Sequence, residues 1–316
     1  MAPAIAAAVA LASHFLFPDR HDLPMSWLDE VPASRHPYPL VLLALSAVSL
    51  LGAGVQWIWR PLRPWLAHFA PLLAGGIGLA CFWELVTTKL AWMPQPFFPS
   101  PDQVLGGLIE DRGLLFKSTQ QSVLLLLSGY ATGVVAGVAC GVLIGWFAPV
   151  RYWGMPAMRL IGPIPATALV PLAMVLFTNT YPRGMALIAW SVWFPVTMLT
   201  TSGIANCPVS YLEVARTLGA GRLYLIFRVA IPAALPSMFV GVFMGLLVSF
   251  LALLVAETVG VENGLGYYIK WQQGYLEYAK VFAAIGIMAV LFSGLLTLLF
   301  RARDWVLVWQ KGTIKW

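Results

Sequence analysis

The stretch "EVARTLGAGRLYLIFRVAIP", which runs from Glu213 to Pro232, places charge, glycine and proline between two long apolar runs. Its three arginines are Arg216, Arg222 and Arg228. A charged side chain is costly in the hydrocarbon core of a membrane. The stretch therefore predicts a polar segment that lies outside the membrane and joins two spanning helices.

The spacing within this stretch predicts a helical hairpin. Four positions at i, i+3, i+4 and i+7 form one short amphipathic face: Leu212, Ala215, Arg216 and Gly219. Gly219 and Gly221 predict a helix stop and a turn. The following "RLYLIFRVA" predicts a second short helix, which we expect to end at Ile231-Pro232. Connections between helices are usually short, so a hairpin of this length favours a docking element over a plain interfacial loop.

The composition predicts an all-α polytopic membrane protein. Of 316 residues, 60% are hydrophobic and 10% are charged, and the mean hydropathy is +0.81. Soluble globular chains carry about 25% charged residues. The net charge of +6 indicates basic loops on the cytoplasmic side and no nucleic-acid partner.

Apolar runs long enough to cross a bilayer define the expected spans. They lie at about 39–58, 69–88, 118–147, 161–180, 184–204, 234–257 and 281–300. A shorter run at 2–17 lacks the basic start and the small-residue cleavage site of a signal peptide, so a retained membrane helix is favoured over a signal peptide. We expect eight spans: residues 1–66 form an N-terminal extension with one or two membrane helices, and residues 67–316 form a six-helix core.

The distribution of Lys and Arg predicts the orientation. With both termini in the cytoplasm, eleven of the 19 basic residues face inward, most of them in short loops beside helix ends, where the positive-inside rule counts most. The basic tail, with Trp305, Val308 and Trp309 at helical spacing, is typical of an anchor at the membrane surface.

A glycine stripe marks the span at 118–147. It consists of Gly129, Gly133, Gly137, Gly141 and Gly145. Small residues at this spacing let two helix backbones approach closely in lipid. Each step of four residues drifts by about 40° around the helix, so we expect the partner to cross at an angle and not to run alongside. The interface is either static or a moving one, and static packing is favoured.

Two further features point to a transport pathway. Pro163, Pro165 and Pro171 predict a broken segment, which lipid tolerates only where freed backbone groups face protein or water. Glu257, followed by Thr258, ends an apolar run on the outer side, where an acid is either functional or placed at headgroup level. A kink that only shapes packing is the alternative for the prolines.

Several kinds of site are not predicted. The three cysteines and four histidines have no metal-ligand spacing. The sequence has no phosphate-binding loop and no pairing of a nucleophile with a base. We therefore expect no catalytic residues, no metal and no cofactor, and we expect that the chain is not an enzyme.

The hairpin resembles the cytoplasmic signature of ABC importer permeases of the type I fold. That signature is E-A-A, a glycine four residues later, and then I-x-L-P. Glu213-Val214-Ala215, Gly219 and Val229-Ala230-Ile231-Pro232 stand at these positions, with conservative departures. Further similar pieces lie at 99–101, 163–172, 255–258 and 264–269, closest to permeases of the nitrate, sulfonate, taurine and bicarbonate group. "LFTNTYPRG" at 176–184 departs from the usual pattern, and so does the extension.

The resemblance implies a mechanism and a set of partners. It assigns coupling to a separate ATPase to one run of the hairpin: Glu213, Val214, Ala215, Arg216, Gly219, Ala220, Gly221 and Arg222. It implies a homodimer of permeases in the bacterial inner membrane, two cytoplasmic ATPase subunits, a periplasmic or lipid-anchored substrate-binding protein, and contact with membrane lipid. It places Pro163, Pro165, Pro171, Glu257 and Thr258 on the translocation pathway of a small solute, although an ionised Glu257 would repel an anion.

Two other functions remain open on the sequence. A membrane scaffold would use the hairpin to dock a cytoplasmic partner without passing a solute. An ion-coupled carrier would need buried charges along its helices, and such residues are scarce here.

Overall fold

The computed structural model describes residues 2–16, 37–58, 63–90, 92–93, 96–261 and 263–308. Every regular element within these ranges is helical. The α-helices are α1 (Ala2–Leu16), α2 (Pro37–Ile58), α3 (Arg63–Glu84), α4 (Pro101–Glu110), α5 (Arg112–Trp146), α6 (Ala148–Ile161), α7 (Val170–Leu176), α8 (Thr180–Ala205), α9 (Val209–Thr217), α10 (Arg222–Tyr224), α11 (Ile231–Val259), α12 (Leu265–Gly274) and α13 (Tyr278–Val306). The all-α class is therefore confirmed.

Five helical segments of the described chain are long and apolar enough to cross a membrane. They are Phe69–Lys89, Arg112–Trp146, Thr180–Ala205, Arg222–Val259 and Tyr278–Val306. Ala148–Ile161 and Ala166–Leu176 pass the same test as a pair, bent by 86°. The apolar runs predicted at both ends of the extension are helical as well, as α1 and α2. The count of eight spans and the boundary at residue 66 stay predictions.

The chain divides into two compact units. The first comprises Met1–Gly113 and Trp271–Ile285, and the second comprises Leu114–Lys270 and Gly286–Trp316. In the first unit, α1, α2 and α3 bury Ala7, Ala10, Leu42, Ile77 and Cys81 in one core. The short helix after "PSP" begins with a capping box, because Ser100 and Gln103 exchange side-chain hydrogen bonds with each other's backbone N–H.

In the second unit, the glycine stripe of α5 lies directly against α8. A Cβ atom added at Gly133 or Gly137 would lie 2.7 Å from the Cβ of Val192 or Val196, respectively. At the two ends of the stripe, Gly129 meets Ile188 and Gly145 meets Ile204 in the same way. Both series rise together in sequence, so α5 and α8 run parallel.

This contact corrects one prediction. We expected the partner of α5 to cross at an angle and not to run alongside. The five glycines instead follow α8 from Ile188 to Ile204, a length of about 24 Å. The glycine stripe drifts around α5, but the residues of α8 that it meets also recur at every fourth position. The two helices therefore stay in contact along the stripe.

Helix α8 also packs on α11, again through glycine. A Cβ at Gly241 would lie 3.2 Å from the Cα of Val196, and one at Gly245 would lie 3.0 Å from Val192 Cγ1. Near the far end, Gly203 meets Ala234 and Ser237. Helices α5, α8 and α11 therefore pack against one another, with Tyr130 of α5 also donating to the Val242 carbonyl of α11 (2.8 Å), and Val192 and Val196 of α8 are fully buried.

We expect Gly137→Ala to destabilise the protein by about 1–3 kcal/mol, because the new methyl group overlaps Val196 in a packed interface. Gly294→Ala on α13 is the matched control, because an added Cβ there meets nothing within 4 Å. Thermal unfolding of the purified protein in detergent measures both. Equal melting temperatures for the two variants contradict the close α5–α8 packing.

Candidate functional site

The first helix of the predicted hairpin ends in a Schellman C-cap. Helix α9 ends at Thr217, and Gly219 adopts φ +85°. The N–H of Gly219 bonds the carbonyl of Arg216 (2.9 Å), and the N–H of Ala220 bonds that of Ala215 (3.0 Å). This pair of bonds defines the motif, and its positive φ favours glycine at the first residue past the cap. The glycine of the sequence signature is thus required by the local backbone.

The hairpin leaves an apolar surface uncovered. No residue of α9 is buried. Leu218 at the turn is 82% exposed, and Leu223 just after it is 71% exposed. Val214 and Tyr211 are exposed as well, beside Arg216 and Arg222. A cluster of exposed large apolar side chains with a basic rim is typical of a protein-binding surface.

The second half of the hairpin differs from the prediction. It does not end at Ile231-Pro232. Residues Leu225–Ala230 form a π-helical segment that continues directly into α11. Pro232 has no N–H to donate, and it lies directly after the π-helical segment, as the second residue of α11. The hairpin therefore continues without a break into the spanning helix Arg222–Val259.

At the other end of that helix, Glu257 is fully buried. Its Oε1 accepts a hydrogen bond from the Ser122 hydroxyl of α5 (2.6 Å), and its Oε2 accepts one from the Gly266 N–H (2.7 Å). The Leu265 N–H donates in turn to Ser122 Oγ (2.8 Å). Ser122 and Glu257 thus cap the first turn of α12, where the helix dipole favours an anion.

Two glycines make this cap possible. Gly264 has φ +102°, and a Cβ there would overlap the Glu257 carboxylate. A Cβ on Gly266 would lie 2.9 Å from Glu257 Cβ. The "GLG" of the sequence is therefore the point at which the loop backbone passes against a buried carboxylate.

The C-terminal end of α11 is also held by cations. Arg183 Nη1 donates to the carbonyl of Gly260 (3.0 Å), and its Nη2 donates to that of Phe177 at the end of α7 (3.0 Å). Lys270 Nζ donates to the carbonyl of Thr258 (2.7 Å). Both cations lie where the helix dipole favours positive charge.

The proline stretch is broken, as predicted. Pro163 lies in a turn, Pro165 precedes a 3-10 turn over Ala166–Leu169, and Pro171 lies in the first turn of α7. The three residues from Pro163 to Pro165 are exposed. Trp190 Nε1 donates to the Ile164 carbonyl (3.4 Å), and Phe194 lies against Gly162. Whether this stretch borders a pathway stays a prediction.

The structure separates the predicted site residues into distinct places. The hairpin and Glu257 lie at opposite ends of one helical segment of 38 residues, about 50 Å apart along its axis. Thr258 turns its hydroxyl back onto its own helix, at the Leu254 carbonyl. Ser122 was missed, because its partners are 135 and 143 residues away in sequence. Of the tail, Trp309 lies outside the described residues.

Comparison with known proteins gives one family. The sequence model of the "binding-protein-dependent transport system inner membrane component" family matches residues 133–306. A probable ABC transporter permease protein of Haemophilus influenzae is 30% identical over 237 residues, which cover 75% of this chain and 94% of the relative. The taurine transport system permease protein TauC of Escherichia coli is 28% identical, with coverage of 75% and 87%. The bicarbonate transport system permease protein CmpB of Synechococcus elongatus is also 28% identical, with the same coverage.

A solved structure shares the fold. The chain aligns with a structure of the MetNI methionine ABC transporter in an inward-facing conformation, with a TM-score of 0.53 and 17% identity. The alignment covers 62% of this chain and 98% of that one.

We expect Ser122→Ala to destabilise the protein by about 1–3 kcal/mol, because it leaves the Leu265 N–H and one Glu257 oxygen buried without a partner. Thr119→Ala is the matched control on the same helix, since the Thr119 hydroxyl bonds only the carbonyl of Leu115 one turn earlier. Thermal unfolding in detergent compares them. A Ser122→Ala melting temperature no lower than that of Thr119→Ala contradicts the cap.

Proposed function

The chain belongs to the family of binding-protein-dependent transport system inner membrane components, the permease subunits of ABC importers, and we propose that a separate ATPase drives it. The observation that carries this proposal is the Schellman-capped hairpin with its uncovered apolar surface. A surface of this kind at the end of a spanning helix fits the groove of a cytoplasmic partner. The coupling residues are those of the hairpin from Glu213 to Arg222.

The continuous helix Arg222–Val259 supplies a path for the coupling. A displacement of the hairpin is applied directly to the start of α11 through the π-helical segment Leu225–Ala230. π-Helical turns occur often at functional sites in helices. Helix α11 packs tightly on α8 through Gly241 and Gly245, so α8 follows its movement.

The solute is small and of the class that the relatives' names give. TauC is named for taurine and CmpB for bicarbonate. We propose nitrate, a sulfonate, taurine or bicarbonate as the solute class, with selection made mainly by a periplasmic or lipid-anchored binding protein. Pro163, Pro165 and Pro171 are proposed to border the pathway, since broken backbone in lipid requires protein or water beside it.

The assembly proposed for the chain is a homodimer with two ATPase subunits below it and a binding protein above it. Both termini lie in the cytoplasm of a bacterial cell. The N-terminal extension over residues 1–66 is proposed as an addition to a transport core over residues 67–316. The glycine stripe of α5 is proposed as a static packing interface within the subunit.

We expect that the wild-type protein, purified from native membranes through a C-terminal tag, retains an ATPase subunit, and that Gly221→Trp does not. Gly221 has φ −74°, and nothing in the chain lies within 4 Å of an added Cβ. A tryptophan there projects into the docking surface without disturbing the fold. Glu213→Lys and Gly219→Trp are expected to act in the same direction, the latter also through strain at φ +85°.

The retained subunit is measured by ATP hydrolysis and mass spectrometry, and membrane insertion is checked by yield. Gly113→Trp is the control, because it also meets open space but lies outside the hairpin. Wild-type protein that retains no ATPase contradicts the proposal. Uptake that persists without any ATPase indicates an ion-coupled carrier, and ATPase binding without uptake indicates a scaffold.

An assay of solute uptake also tests the role of Glu257. We expect Glu257→Gln to keep most of the uptake, because the amide can still accept from the Gly266 N–H and bond Ser122, whereas Glu257→Ala loses uptake together with stability. If Glu257→Gln abolishes uptake while its melting temperature is unchanged, the carboxylate acts on the solute pathway through its charge and not as a helix cap.

A further inference from the structure

Helix α1 ends in a polar cluster that lies against the end of α3. His14 Nδ1 hydrogen bonds Glu84 Oε1, and Lys89 Nζ donates to the His14 carbonyl (2.8 Å). One residue before His14, Ser13 Oγ lies 3.2 Å from Cys81 Sγ on α3. We name His14, Tyr38, Glu84 and Lys89 the Glu84 cluster.

Helix α2 contributes to the same cluster. The Tyr38 ring packs edge-on against the His14 ring, with 6.1 Å between the ring centroids. The Tyr38 N–H donates to Asp102 Oδ1 at the start of α4 (3.0 Å). The Glu84 carboxylate of α3 therefore bonds α1, while α2 reaches the cluster through the Tyr38 ring.

Two charged members of the Glu84 cluster are buried. Glu84 is 4% exposed and Lys89 is 9% exposed. An acid and a base at the end of a spanning segment are costly when they face lipid. His14 of α1 bonds both, through its ring to Glu84 and through its carbonyl to Lys89, so removal of α1 would take a partner from each.

The two faces of α1 suit a helix that stays in the membrane. Ala7 and Ala10 are fully buried against α2 and α3, and small residues allow this close approach. Ile5, Val9 and Phe15 are each more than half exposed and form a surface for lipid. With 15 residues, α1 is about 22 Å long and shorter than the hydrocarbon core, so its polar end needs the partners that α3 supplies.

We propose that α1 is a permanent, membrane-inserted element of the mature protein, and that the Glu84 cluster is its seat on α2 and α3. The family match covers residues 133–306, so α1, α2 and α3 lie outside the matched range. The proposal does not depend on the ATPase or on the solute.

The test uses the native Cys81 in the full chain, carrying a C-terminal tag and kept in native membranes. We expect Ser13→Cys to form an intramolecular disulfide with Cys81 on mild oxidation, because the two side-chain atoms are already 3.2 Å apart. Mass spectrometry of the linked peptides identifies the pair. Phe15→Cys is the matched control, since this position is 73% exposed, and Ser13→Cys with Cys81→Ser must give no link.

Two results would overturn the proposal. One is purified protein from which the N-terminal helix is missing. The other is linkage of Ser13→Cys to Cys81 that is no faster than that of Phe15→Cys.

The role of the cluster is tested in the Ser13→Cys background. Glu84→Leu is expected to slow the linkage severalfold, because it removes the hydrogen-bond partner of His14. Glu84→Gln keeps an acceptor oxygen and is expected to retain most of the rate, as is Phe82→Leu, a change at an exposed position on the same helix. Glu84→Leu with an unchanged rate shows that apolar packing alone seats α1 and rejects the cluster as its seat.

Discussion

The close approach of α5 and α11 to α8 is the constraint on which the second unit depends. Lipid offers no hydrophobic drive for helix association, so stability requires dense packing between backbones. Val192 meets Gly133 and Gly245, and Val196 meets Gly137 and Gly241. A side chain larger than hydrogen at these glycines would push α8 from one neighbour or the other. The core of Leu125, Ile188 and Leu253 forms because these three helices are held so closely.

Helix α11 connects two different structural elements. The helix is held along its length by α8, while its two ends carry different structures. At its start, a π-helical segment joins it to the exposed hairpin. At its end, Glu257 and Ser122 cap α12, and Arg183 bonds the Gly260 carbonyl. Helix α11 thus joins the hairpin to a far end that is tied to α5, α8 and α12, and rigid packing favours movement of the group over bending of one helix.

The sequence predicted the features that local patterns encode. The glycine period of α5, the proline break before α7 and the Gly219 stop each depend on residues close together in the chain. The Ser122–Glu257 cap was not predictable in this way, because it joins residues 135 positions apart. The same holds for the His14–Glu84 contact, which spans 70 positions. The continuation through Pro232 was missed, because a proline within a helical pattern predicts an end or a kink. The role predicted for Glu257 on the pathway remains a prediction.

Four charged side chains of the second unit hydrogen bond the ends of helices. Arg151 bonds the last carbonyls of α5, Arg183 those of α7 and α11, and Lys270 that of Thr258. Glu257 bonds the first turn of α12. In each case the sign of the charge matches the end of the helix dipole that it meets. Side chains held in this way satisfy the ends of helices. These four side chains therefore fix the ends of helices in the second unit.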